Sequence, residues 1–144
     1  MAYSIDNKGI GADAFLTMAN DETATKDFTE ADLTANLTAC VISANNEVGM
    51  GADGEKLFGK VVAVSTELIA GTALPARCTV QARGVARFKY VAVTPVINQM
   101  VEVDGAGAVS IATADTDIAA GGHLARGQVI NVIAGSTEVD VWLG

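Results

Sequence analysis

The feature that most constrains the fold is a series of short β-branched runs that occupies the chain from Leu57 onward. Glycine, aspartate and asparagine separate these runs, which is typical of strands joined by tight turns. Half of the residues are hydrophobic but only 5% are aromatic, so the core has to be built from aliphatic side chains. Seven strands in one domain of 144 residues fit a barrel or a sandwich, and an all-β fold is predicted. The predicted strands are residues 58–66, 77–83, 85–91, 99–104, 108–113, 128–134 and 137–143.

Two glycine-containing segments are predicted to reverse the chain between strands. Residues 104–107 read Asp-Gly-Ala-Gly, and glycine accepts a positive φ without a Cβ clash. Residues 134–136 read Ala-Gly-Ser and are expected to turn in the same way. Pro75 and Pro95 fall between the runs, as expected of residues that cannot donate a hydrogen bond to a ladder.

The first 36 residues differ from the rest because they are polar and show no sustained alternation. They are predicted to form an extended N-terminal arm, residues 1–36, in front of a β-rich domain, residues 37–144. Within the arm, Thr29 is placed to cap a short helix whose acidic first turn favours the positive end of the helix dipole. Residues 45–56 are glycine-rich and polar, which indicates a long turn or loop.

The charge balance argues against two classes of partner. Nine basic and seventeen acidic residues give a formal charge of -8 at pH 7, which opposes binding to phosphate backbones and to anionic lipid. No stretch reaches the roughly 20 apolar residues of a spanning helix, and the N-terminus lacks the order of charges of a signal peptide. Neither nucleic acid nor membrane is therefore expected as a direct partner, and the chain should be soluble where it is made.

The residues that carry most enzyme chemistry are sparse. His123 is the only histidine and has no nucleophile pattern beside it, and Cys40 and Cys78 lie too far apart in sequence for a CxxC zinc motif. We expect both cysteines to be reduced thiols packed as small apolar residues. Residues 49–54 have the GxGxxG spacing, but no helix pattern follows, so turn-forming glycines explain them better. The sequence thus predicts no enzyme, no cofactor and no metal.

A period-two pattern between residues 77 and 90 predicts a strand with two different faces. Arg77, Arg83, Arg87 and Lys89 fall on odd positions, and mainly apolar residues fall on even ones. Successive side chains on a strand point to opposite faces, so the four cations would share one surface if Gly84 is a bend and not a reversal. On an acidic chain such a surface is either a docking site for an acidic partner or a merely solvated face.

Trp142 is the other candidate interface residue. In the last run, Val139, Val141 and Leu143 alternate with Glu138, Asp140 and Trp142. The tryptophan therefore lies on the polar side of its strand. Because tryptophan is enriched at interface hot spots, it is expected to pack either against a neighbouring subunit or under the chain's own arm.

Four segments resemble a family of small tailed-phage proteins that was once labelled as predicted recombinases and is associated with capsid decoration, also called cement proteins. The segments are LFGKVVAVS at 57–65, CTVQARGVARFKY at 78–90, INQMVEVDGAGAVSIA at 97–112 and RGQVINVIAGSTEVDVWLG at 126–144. The order and spacing of strands and turns agree over residues 37–144. A recombinase would need a P-loop and a doubly wound sheet, and the chain has the pattern of neither.

The resemblance implies a small β-barrel-like or β-tulip domain that forms a homotrimer near the three-fold positions of a phage head. It implies a structural virion protein that binds the major capsid protein on the outer capsid surface and bridges its subunits, after synthesis in the host cytoplasm. Arg77, Arg83, Arg87, Lys89 and Trp142 are the residues expected to contact the capsid or a neighbouring subunit.

Two other classes of function stay open at this point. A domain of a virion fibre or a surface layer would share the same β-rich composition. A small-ligand or carbohydrate-binding module would present exposed aromatic platforms, although the chain has only four Phe, two Tyr and one Trp.

Overall fold

The computed structural model describes residues 14–65, 68–73, 76–113 and 125–144. Within these ranges the chain forms strands and one short helix, α1 (Glu30–Thr34). The all-β prediction is therefore confirmed. The strands are β1 (Phe15–Asn20), β2 (Ala39–Ala44), β3 (Glu47–Gly49), β4 (Gly59–Ser65), β5 (Leu68–Ile69), β6 (Thr72–Ala73), β7 (Arg77–Gln81), β8 (Val85–Lys89), β9 (Val101–Val103), β10 (Val109–Ile111), β11 (Gln128–Val132) and β12 (Glu138–Trp142).

The first half of the described chain builds a closed barrel with the strand order β1-β3-β2-β4-β7. β1 closes it, because this strand runs parallel to β3 on one side and antiparallel to β7 on the other. The barrel encloses a cluster that we name the sulfur core, because half of its members carry sulfur. Its buried residues are Met18, Phe28, Cys40, Val48, Met50, Val61, Cys78 and Val80.

The second half forms a three-stranded sheet, β11-β12-β8, and a hairpin, β9-β10. Two isolated bridges connect them, one between Met100 and Gln128 and one between Tyr90 and Val109. The connected strands surround a cluster that we name the valine core. Its buried residues are Ala39, Val41, Leu57, Ala86, Phe88, Val101, Val103, Val109, Val129, Val139, Val141 and Leu143.

Strand β2 joins the two cores. Cys40 points into the sulfur core, and its neighbours Ala39 and Val41 point into the valine core. This follows from the pleat of a strand, which directs successive side chains to opposite faces. Backbone hydrogen bonds add a second link, because Gly54 and Glu55 pair with Val103 of β9. The two halves therefore pack as one domain.

Each of the seven predicted strands has a counterpart, in β4, β7, β8, β9, β10, β11 and β12. The hairpin at residues 104–107 is confirmed, and the Asp104 carboxylate accepts hydrogen bonds from the amides of Ala106 and Ala108 at 2.8 and 2.9 Å. The helix start is confirmed as well. Thr29 caps α1 and exchanges hydrogen bonds with Asp32 in a capping box.

The prediction of an extended arm is wrong for residues 14–36, and residues 1–13 lie outside the described ranges. β1 is a wall of the barrel, and Met18 and Phe28 are buried in the sulfur core. The pattern of β1 hides its role, because Phe15 and Leu16 are exposed whereas the polar Asn20 is buried. A strand with apolar side chains outside and an amide inside does not show the usual alternation.

Asn20 is buried because it holds the loop that follows β1. Its side-chain amide donates to the carbonyl oxygen of Phe28 at 2.8 Å and accepts from the amide of Phe28 at 2.9 Å. Both polar ends of the side chain are thus satisfied, and the loop is fastened so that Phe28 fills the barrel. The predicted loop at residues 45–56 is also corrected, since it contains strand β3, which is only three residues long.

Candidate interaction face

Gly84 lies where the chain leaves the barrel and enters the second sheet. Its φ of 84° is in the left-handed region that glycine tolerates. The alternation continues across this position: Cys78 and Val80 are buried before it, and Ala86 and Phe88 are buried after it. Gly84 is therefore a bend and not a reversal, as the sequence pattern required. The side-chain amide of Gln81 fastens the bend by donating to the carbonyl oxygens of Arg83 and Val85.

The bend separates the four predicted cations. Arg77 begins β7 in the barrel, where it lies opposite Ala19 and Ser65. Arg83 lies in the bend, and Arg87 and Lys89 lie on β8 in the second sheet. The odd positions do point outward, but they belong to two sheets and do not form one basic stripe.

Arg87 has a carboxylate partner that the sequence pattern did not identify. Its guanidinium contacts Asp140 on β12 with an Nε–Oδ1 distance of 2.7 Å and an Nη2–Oδ2 distance of 3.1 Å. These hydrogen bonds raise the pKa of Arg87 and lower the pKa of Asp140, which also accepts from Asn131. A bidentate pair of this kind fixes both side chains. The positive charge of Arg87 is therefore largely compensated within the chain.

Trp142 lies in a mainly apolar row that crosses the second sheet. Antiparallel pairing places it opposite Val85 on β8 and opposite Gln128 on β11, and Gln128 is bridged in turn to Met100. Residues opposite each other in antiparallel strands share a face. Trp142 and Val85 are each about half exposed, at 50% and 51%, and Met100 is 38% exposed. Ile130, at the bulge in β11, is also exposed.

We name the outward side of β8, β11 and β12 the outer face. Its charged side chains are Arg87 and Lys89 on β8, and Glu138 and Asp140 on β12, and each cation lies opposite an acid in the strand register. The four charges cancel. The formal charge of -8 therefore lies elsewhere on the chain, and the outer face is a neutral, partly apolar surface on an acidic protein.

The free edge of β8 is blocked by side chains from the barrel. The Lys60 ammonium donates to the carbonyl oxygen of Arg87 at 2.7 Å, and Gln81 donates to the carbonyl oxygen of Val85 at 2.9 Å. Burial is the main reason why the pKa of Lys60 is lowered. An edge whose carbonyls are occupied is a poor template for an added strand. A partner of this sheet would thus contact the side chains of the outer face.

No pattern in the sequence pointed to Arg126 as a residue of special role. Its guanidinium donates to the carbonyl oxygens of Phe58 and Ala82 and lies over the Phe58 ring, 5.9 Å from the ring centroid. Partial burial is the main cause that lowers its pKa. Phe58 precedes β4 and Ala82 follows β7. Arg126 therefore holds the segment before β11 against the barrel.

A cleft of about 460 Å³ opens beside Arg126. Its apolar lining comes from β2 and from the segment before β4, and three charged residues also line it. The lining residues are Val41, Ile42, Glu55, Lys56, Leu57, Phe58 and Arg126. Such a cleft is large enough for a small organic molecule.

The thiols behave as expected from the sequence. Cys40 and Cys78 are free and fully buried in the sulfur core. Burial raises the pKa of both thiols, that of Cys78 to about 11, so neither is a nucleophile at neutral pH. Among the described residues no three His, Cys, Asp or Glu side chains are grouped as metal ligands would be. His123 lies outside the described ranges.

No helix in the described part of the chain is long and apolar enough to cross a bilayer. No family model matches the chain, and no curated protein or solved structure matches it.

Proposed function

We propose that this chain is a structural virion protein that binds the outer surface of a phage capsid as a homotrimer and bridges major capsid protein subunits. The observation that carries the proposal is the outer face, where an exposed tryptophan in an apolar row beside a fixed ion pair offers a contact through which copies of the chain can form an oligomer. Exposed apolar patches with polar rims mark protein–protein contacts. The resemblance of residues 37–144 to decoration proteins supplies the kind of partner.

A cement protein has to keep its own shape while neighbouring shell subunits are pulled apart. A closed barrel and a second core that share β2 suit this task, because one half cannot open without exposing part of the other. Many copies on one lattice also act together, so that each contact can be modest if attachment is multivalent.

The predicted N-terminal arm has to be shortened before its part in capsid binding can be tested. Deleting residues 1–36 would remove β1 and Phe28, and the barrel could not close without them. The testable arm is therefore residues 1–13. We expect a chain that begins at residue 14 to keep its fold and to bind the capsid less tightly.

The experiment that tests the function is cosedimentation of the purified protein with expanded, undecorated phage heads. Saturable binding at a fixed number of copies per head, together with increased resistance of the heads to heat or chelators, is the expected result. Recovery with tails or cell walls and not with heads would favour a fibre or surface-layer domain. If the protein does not sediment with heads, tails or cell walls, the structural role is contradicted.

The cleft beside Arg126 favours a second candidate, a small-ligand-binding module. Its apolar lining and the neighbouring cations fit a small amphipathic acid better than a sugar, because the cleft has one aromatic ring, that of Phe58. An NMR titration with a medium-chain fatty acid would test it. Saturable shifts at Val41 and Leu57 are expected if this candidate is right, and their absence at millimolar ligand would remove it.

A further inference from the structure

We infer that the outer face, centred on Trp142, is the surface through which two copies of this chain contact each other, and not the surface that binds the shell. The inference rests on the proposed function only in its expectation of an oligomer, and it names the contact. Three properties of the described residues indicate that the partner covering the outer face is a second copy of this chain.

The first property is the exposed apolar row. Val85 lies directly opposite Trp142, and Met100 lies one strand further on, beyond Gln128. Each of the three apolar side chains keeps at least 38% of its surface in solvent. Covering such a row removes apolar surface from water, which is the main favourable term in association. Truncating a tryptophan at an interface is among the substitutions that reduce the binding free energy most.

The second property is charge. A chain with a formal charge of -8 repels its own copies over most of its surface. The outer face escapes this repulsion, because Arg87 is paired with Asp140, and Lys89 lies opposite Glu138. A second copy therefore meets no net charge on this face. An acidic partner would instead be drawn to a surface of net positive charge, and the two cations and two acids of these strands do not make one.

The third property is the rigidity of the face and its closed edge. The bulge in β11 is braced by the hydrogen bond from Asn131 to Asp140, and Asp140 is held by Arg87. Lys60 and Gln81 occupy the carbonyl oxygens at the free edge of β8. Copies consequently meet through preformed side chains and do not extend the sheet into a fibre.

Trp142 reports its own surroundings, because it is the only tryptophan in the chain. We would record its emission and its quenching by acrylamide over a dilution series, while light scattering measures the mass. The expected result is an oligomer whose dissociation on dilution shifts the emission to longer wavelength and increases quenching with the same midpoint. A monomer at every concentration would overturn the inference.

Matched variants test the face itself. Val85→Glu is expected to weaken self-association by at least about tenfold, because it places a charge in the row and truncates a central contact. The control is Ile42→Glu on β2, which changes a side chain of similar exposure, 47%, on the barrel and should leave the mass unchanged. Circular dichroism establishes that both variants are folded. If both variants dissociate equally, or neither does, the face is not the contact.

A single surface cysteine gives an independent readout. Cys40 and Cys78 are buried thiols with raised pKa, so a label added at neutral pH reacts with an introduced Ile130→Cys side chain alone, and this exposed position on β11 leaves Trp142 in place. Spin labels there should show strong coupling between copies, whereas labels at Ile42→Cys should not. Weak coupling at both positions in a stable oligomer would place the contact elsewhere.

Adding undecorated heads separates this inference from the proposed function. If the Trp142 emission changes on dilution but not when the oligomer binds heads, both the contact between copies and the capsid role are supported. If the emission changes only when heads are added, the outer face binds the shell. That result overturns the inference, while the capsid role remains. Association through Trp142 without any binding to heads keeps the inference and removes the capsid role.

Discussion

The barrel and the strands around the valine core, β8 to β12, which we name the second ring, fill their centres with different side chains. The barrel, built from residues 15–81, fills its centre with two methionines, two cysteines, three valines and Phe28, and it needs the buried amide of Asn20 to hold a loop in place. The second ring, built mainly from residues 85–142, fills its center with valines from short, successive strands around Phe88. The comparison teaches that regular alternation is needed only where strands alone make the core. Where a loop contributes to the core, as the loop with Phe28 does, hydrogen bonds from a buried polar side chain hold the loop, and alternation is not needed there.

The largest expected effect comes from the two buried phenylalanines. Phe88→Ala should destabilise the protein by about 3–5 kcal/mol, because paired strands surround the cavity and cannot collapse into it. Phe28→Ala should cost less, since its loop is able to move inward. Denaturant unfolding of the two variants measures the difference. An equal or reversed order would mean that the clamped loop is as rigid as the strands.

The second prediction concerns the clamp. Asn20→Ala leaves the amide and the carbonyl of Phe28 without their buried partners and should cost about 2–3 kcal/mol. The matched control is Asn45→Ala in the exposed turn after β2, which should stay within about 0.5 kcal/mol of the parent. Hydrogen exchange should increase at Phe28 in the first variant. A small effect of Asn20→Ala would show that the loop is held by Phe28 packing alone.

The third prediction uses pH to separate the two cores, because only the barrel contains thiols. Folding raises the pKa of Cys78 from 9.0 to about 11, so the folded state keeps its proton where the unfolded state loses it. This contribution to stability is complete below about pH 9 and is lost as pH rises toward 11. The slope approaches about 1.4 kcal/mol per pH unit for each thiol.

The control for this effect is the double variant Cys40→Ala, Cys78→Ala. Its stability at neutral pH is lower because it lacks two buried side chains, but its decline through the alkaline range should be shallower than that of the parent. Parallel curves for the two proteins would contradict the assignment of the alkaline loss to the barrel thiols.

The smallest expected effect belongs to the outer face of the second ring. Asp140→Asn removes the carboxylate that pairs with Arg87, and the loss of stability should be smaller than that of Asn20→Ala because the pair is solvated. The pKa of Asp140 is lowered in the folded state, so its contribution is present above the ordinary aspartate pKa of about 3.9 and disappears as pH falls through the folded value. Melting temperatures at neutral and acid pH measure this. A variant as sensitive to acid as the parent would contradict it.

Several elements could be predicted from the sequence because their determinants are neighbours in the chain. The alternation from Cys78 to Tyr90 defines two strands, the Asp-Gly turn after β9 needs only residues 104–107, and the capping box of α1 needs only Thr29 and Asp32. Local conformational preference and a period of two are enough for such elements. The burial of Cys78 followed in the same way from its even position in the alternation.

Other features were decided only by the tertiary structure, because they depend on pairs that are far apart in sequence. β1 became a barrel wall through its pairing with β7, and Arg126 found its carbonyl partners at Phe58 and Ala82. The charge on Arg87 was compensated by Asp140 from another strand. Strand register determines which distant residues become opposite neighbours, and a shift of one residue would have turned each side chain to the other face. The sequence by itself therefore determined the strands and turns, whereas the assembled sheets determined the neutral outer face.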